Sequence, residues 1–161
     1  MIKVYDPKDF EDKSQSGLKF KKTGDSINIF NRFGDKIVEL NLFYATEGIY
    51  CDTWYGFVTN EEYMEVMSGV YLYCFCKNSC TKKICNTQSL RMGMDKKTSE
   101  WFIDIILPQL LRAGLKYNAI VIPSDIYARQ SMDFFERSMK DNLAMAFPSF
   151  DIALLWLQNL N

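Results

Sequence analysis

The sequence predicts an α/β sandwich, with an N-terminal antiparallel hairpin leading into a mixed, largely parallel sheet and about four helices. Three observations carry that expectation. Apolar residues alternate over 36–43, the period of a strand with one buried face. A stripe at helical spacing follows, formed by Tyr63, Val66, Met67, Val70 and Cys74. Beyond it, strand-like and helix-like segments alternate to the C-terminus, the order of crossover units in a parallel sheet.

Residues 1–25 are polar and read as an N-terminal arm, partly disordered, with a short strand at 2–5; residues 26–161 read as a single domain. "SINIF" (26–30) is strand-like and stops at "NRFGD", where Gly34 signals a turn. "KIVELNLF" (36–43) and "IYCDTWY" (49–55) form a hairpin across the turn "ATEG". Thr59 or Asn60 caps the next helix, with Glu61 or Glu62 near the third helical position as in a capping box. That helix runs to about residue 77. "KKICNT" (82–87) is a short buried strand. The loop "QSLRMGMDKK" leads to a second helix that opens at Thr98 or Ser99. Pro108 kinks this helix by removing a backbone donor, and Gly114 ends it. "YNAIVIP" (117–123) is a continuous apolar strand of the buried parallel kind. A third helix covers about 125–140, "LAMAF" (143–147) is the last strand, and Ser149 caps a final helix.

Composition excludes several function classes. The net charge of −1 is spread along the chain, so no basic face points to nucleic acid. No apolar run reaches bilayer length, and the N-terminal stretch lacks the apolar core of a signal peptide, so no transmembrane segment and a cytoplasmic location are expected. The chain has no histidine. Ser-His-Asp and Cys-His catalysis and His-ligated metals are therefore out. The carboxylates Asp52, Glu61, Glu62 and Asp104 form no recognisable catalytic pair; Asp52, between Cys51 and Thr53 on a strand, is expected at solvent or an edge.

Four of the five cysteines lie in "CFCKNSCTKKIC" (74–85). The spacing is wrong for paired zinc knuckles, and a helix C-terminus disfavours a thiolate. The reading is of free thiols, with Cys74 and Cys85 buried and Cys76 and Cys80 more exposed. No cofactor or metal is expected.

In order along the chain stand "WYGFVTNEEY" (54–63), "MGMD" (92–95), "TSEWF", a mid-helix "LP", "AGLKYNAIVIPSDIY" (113–127) and "FPSFDIALLWL" (147–157). On these motifs the chain resembles, over about 37–160, the bacterial STAS/SpoIIAA-like domains, specifically stand-alone members of uncharacterised function. The resemblance implies a small non-enzymatic module of four to five strands and four helices. In the sporulation anti-anti-sigma factors of this family, a serine at the start of the second helix is a phospho-switch within Asp-Ser-Ser-Gly. Here "DKKTSEW" (95–101) has no such glycine. Thr98 and Ser99 fall at the equivalent helix start with Lys96 and Lys97 beside them, a candidate switch or anion site; the simpler role is an N-cap.

The loop after the buried strand is the candidate interaction surface, with Gln88, Met92, Gly93 and Met94, because ligands bind at the carboxyl ends of strands in open α/β sheets. The expected function is a non-catalytic regulatory or interaction module. It would bind an unidentified protein partner or small ligand near 88–101, as a homodimer in one version. Alternatives are a carrier of an apolar ligand or lipid, and a thiol-dependent enzyme centred on Cys80 or Cys76.

Overall fold

The computed structural model describes residues 8–91, 94–126, 129–130 and 144–160. Helix α1 (Lys8–Asp12) precedes three strands, β1 (Lys19–Thr23), β2 (Ser26–Phe30) and β3 (Lys36–Asn41). Strand β4 (Ile49–Gly56) follows a single 3-10 turn. Next come α2 (Asn60–Val66), a π turn (Met67–Tyr71) and α3 (Leu72–Lys77), then β5 (Lys82–Leu90). Helix α4 (Lys96–Trp101), a second π turn (Phe102–Ile106) and α5 (Leu107–Arg112) lead to β6 (Tyr117–Val121). Strand β7 (Ala144–Phe147) and α6 (Phe150–Gln158) close the described chain.

The seven strands lie in chain order, β1 to β7. Pairing is antiparallel from β1 to β4 and parallel from β4 to β7. The α/β expectation is correct, and the antiparallel half is a four-stranded meander rather than a hairpin. One face of the sheet packs on the helices from α2 to α5: Ile27, Val38, Leu40, Tyr50, Trp54 and Ile120 meet Val66, Met67, Val70, Phe75, Phe102, Ile106 and Leu110. On the opposite face α6 covers the parallel half, where Ala153 and Leu157 lie on Ile49, Cys51, Ile84, Ala119 and Val121. Strands β4, β5 and β6 are thus covered on both faces.

The N-terminal arm is part of this sheet in its described portion. Leu18 is fully buried, and β1 pairs with β2 over its whole length. Carboxylates pin the approach: Phe20 N–H donates to Glu11 Oε2 at 2.9 Å, and Gln15 N–H donates to Glu65 Oε1 at 2.8 Å. The sequence "KFKKT" misleads because β1 is an edge strand, and lysines on an edge discourage pairing with other chains. The expected strand at 2–5 and most of the helix at 125–140 lie outside the described residues.

Thr59 caps α2 and Glu62 completes the capping box; Thr59 Oγ1 accepts from Glu62 N–H at 3.1 Å, and Glu62 Oε2 accepts from Thr59 N–H at 3.0 Å. The second helix starts earlier than expected. Asp95 is its N-cap, with Oδ1 accepting from Thr98 N–H at 2.7 Å. The helix widens into a π turn immediately before Pro108. A proline ring displaces the carbonyl four residues back, here that of Asp104, and a wider turn accommodates it. The kink is therefore a π turn. The other π turn carries Gly69, whose Cα packs under the Phe10 ring of α1; an added Cβ would lie 3.5 Å from Phe10 Cδ1.

Candidate functional site

At the carboxyl ends of β4 and β5 lies a cleft of about 600 Å³, its open mouth included. Its walls are mainly apolar: Trp54, Val58, Tyr63, Met67, Leu90, Met94 and Phe102. Its floor carries two charges, Asp52 from β4 and Lys83 from β5. Both are buried, Asp52 at 1% exposure and Lys83 at 2%.

Strand geometry brings them together. Asp52 follows Tyr50 and precedes Trp54 on the face of β4 that looks toward α2–α5. Lys83 is the register partner of Tyr50 across the parallel β4–β5 pair, and Cys85 that of Asp52. The Asp52 carboxylate accepts two hydrogen bonds and faces one cation. Trp54 Nε1–H donates to Oδ2 at 2.7 Å, and the Tyr71 hydroxyl donates to Oδ1 at 3.1 Å. Lys83 Nζ stands 4.0 Å from Oδ1. The first π turn delivers Tyr71 to this contact. Burial and the Asp52 charge push the Tyr71 phenol well above its ordinary range, so it stays protonated and donates.

Lys83 is held more loosely. Its ammonium lies 5.4 Å from the Tyr71 ring centroid and 5.8 Å from that of Phe102, within cation–π range. Apart from the 4.0 Å contact with Asp52, Nζ makes no hydrogen bond among the described residues. A buried ammonium ordinarily satisfies its donors. Across β5–β6 the register partner of Lys83 is Asn118, fully buried, with neither amide atom bonded among the described residues. Both π turns begin with a cleft residue, Met67 and Phe102. Such turns strain a helix and recur where a side chain must be re-aimed.

The mouth lies between two helix starts. Thr59 and Asn60 line the cleft at the start of α2, and Asn60 Nδ2 donates to Asp95 Oδ2 at 2.7 Å, tying α2 to the cap of α4. The Thr98 hydrogen bonds hold the exposed Asp95 carboxyl below its usual range.

The sequence-selected residues divide. Gln88 is exposed and belongs to β5, which runs three residues further than expected. Met94 is half-buried in the cleft wall. Met92 and Gly93 lie outside the described residues. Thr98 and Ser99 are buried, at 3% and 0% exposure, one turn inside the helix rather than at its cap. A phosphate on either would need that turn to open. Lys96 and Lys97 are exposed, and Lys96 faces Glu100 at 3.8 Å.

Asp52 corrects the expectation of solvent or an edge. It sits in a central strand buried on both faces, so alternation with its neighbours carries no information about exposure. The usable signal was a charge inside an aromatic, β-branched run, matched by Lys83 in the next buried strand. Cys80 is also a correction: it is fully buried, and burial raises its thiol to about 11, the reverse of an activated nucleophile. Cys74 is buried and Cys76 exposed as expected. Cys85 is half-buried because its free surface opens into the cleft.

Among the described residues, no helix is long and apolar enough to cross a membrane, and no group of three or more Cys, Asp or Glu is placed to hold a metal ion. Comparison with protein-family models, curated proteins and solved structures finds no match. The STAS/SpoIIAA-like resemblance therefore rests on its motifs alone.

Proposed function

We propose that this chain is a ligand-binding module whose cleft over Asp52 and Lys83 takes a small, uncharged, largely apolar molecule that carries a hydrogen-bond acceptor. The observation that carries the reading is the Lys83 ammonium, buried at the floor of an apolar cleft with no hydrogen bond among the described residues. An acceptor atom from the cleft would satisfy it. The cleft wall includes Leu90 and Met94, within the 88–101 segment that the sequence singles out. The motif resemblance points to the same class, a small non-enzymatic module.

Charge decides between a neutral ligand and an anion. Asp52 and Lys83 already cancel. A ligand carboxylate at Lys83 would gain about 4 kcal/mol at 4 Å and an effective dielectric of about 20, and would lose a similar amount to Asp52 at a similar distance. Its desolvation, several kcal/mol, would then stand unopposed. A neutral carbonyl pays no such penalty.

The test is two-dimensional NMR of the labelled protein against a set of small apolar fragments, each as a neutral carbonyl compound and as the matching carboxylate. The Trp54 indole N–H, bonded to Asp52, should shift with the neutral members and less with the acids. The Trp156 indole, on α6 across the sheet, should not move. A set that leaves Trp54 unmoved, or perturbs only residues outside the cleft, would sink the reading.

A further inference from the structure

We propose that Lys83 captures its ligand covalently, as an imine with an aldehyde or ketone. This rests on the cleft reading above and names the ligand class and the bond. Three features of the site combine. Among the described residues, Lys83 carries the one amine that lines the cleft, and it is buried with no hydrogen bond, only the carboxylate contact. That carboxylate is held by Trp54 and Tyr71 with Oδ1 4.0 Å from Nζ, so a small movement of the lysine end brings the two within proton-transfer distance. The rings of Tyr71 and Phe102 flank the nitrogen at 5.4 and 5.8 Å and fix where the lysine end stands in the cleft.

The step balances within the site. When the lysine end closes on Asp52, one ammonium proton passes to the carboxylate, leaving a free amine and a neutral acid. The pair's net charge does not change. The nitrogen lone pair then forms a C–N bond to the carbonyl carbon, and the π pair moves to oxygen. Transfer of a proton from nitrogen to that oxygen gives the carbinolamine. Asp52 returns its proton to the hydroxyl, the C–O bond breaks, and water leaves. The product is a protonated imine on Lys83 facing the Asp52 carboxylate, so the original ion pair is restored. No oxidant, reductant or metal is required.

The experiment uses cinnamaldehyde as probe and cyanoborohydride as trap on the intact protein, followed by mass analysis and peptide mapping. One reduced adduct is expected, on the peptide that carries Lys83, ahead of any exposed lysine. Lys83→Arg keeps a cation opposite Asp52 but cannot form an imine, and should lose the adduct. Mapping on the unaltered chain decides the matter should that variant not fold. Adducts spread over exposed lysines with Lys83 unmodified would overturn the proposal. Cinnamamide, which has the same shape and does not condense, separates the two claims through the Trp54 indole signal. Cinnamamide binding without trapping leaves the cleft reading standing and removes the imine. Neither binding nor trapping removes both.

Discussion

Single side chains set the character of the site, and Asp52 carries most of it. Its two oxygens serve an indole, a phenol and an ammonium, all buried at the floor of the cleft. Such a group is expensive to leave unmatched. Asp52→Ala strands the Trp54 donor, the Tyr71 hydroxyl and the Lys83 charge, and should destabilise the fold by about 3–5 kcal/mol. The midpoint of urea unfolding measures it. The paired change Asp52→Leu with Lys83→Met should recover most of that loss, because a well-packed apolar pair is often as stable as a buried ion pair. A double variant as unstable as Asp52→Ala would mean that the pair is needed for the fold itself. Recovery would point to the site's chemistry as the reason for keeping two charges there.

At the scale of elements, sequence reading succeeded where one face of an element decides its pattern. The alternation of β3, the Thr59–Glu62 box of α2 and the Ser149 cap of α6 were all visible, because each reports a local rule of pairing or capping. It failed where a distant element decides. β1 reads as a polar arm because its lysines answer to an edge, and nothing in "KFKKT" names β2 as its partner. The cleft was half legible: the loop segment and Met94 could be reached from the rule about strand ends, but Lys83 and Asp52 are joined only by the β4–β5 register. The contact that secures β1 is equally non-local. Glu65 on α2 accepts from the backbone N–H groups of Gln15 and Ser16, at 2.8 and 3.2 Å. Glu65→Ala should therefore raise hydrogen exchange at those two amides and through β1, with a stability loss of about 1 kcal/mol for partly exposed bonds. Unchanged exchange at Gln15 and Ser16 would mean that β1 is held by the sheet alone.

For the whole molecule, the same burial that builds the two cores imposes a direction on its pH dependence. The helix-side core places Tyr50, Tyr71, Cys74 and Cys80 out of water, β4 adds Cys51 on the other face, and the half-buried Cys85 of β5 packs against the helix-side core. Burial comes first among the causes that raise these groups, and neighbouring negative charge adds to it for most of them. Cys74 is pushed up to about 12 and Cys80 to about 11, against an ordinary thiol value of 9.0. Tyr50, Tyr63 and Tyr71 lie well above the ordinary 10.0. Each group stays neutral when folded and ionises more readily when unfolded. Unfolding then releases protons in alkali, and stability must fall as pH rises. Below pH 9 this contribution is complete; above it the contribution shrinks, and that of Cys80 is gone past about 11 and that of Cys74 past about 12. Urea midpoints should be level from neutral pH to 9 and then decline steadily. Thiolate absorbance of the buried cysteines should appear together with loss of structure rather than before it. A midpoint that stays level to pH 11, or thiolate signal from an intact fold beyond that of exposed Cys76, would contradict the buried placement of these residues and with it the packing of helices on both faces of the central strands.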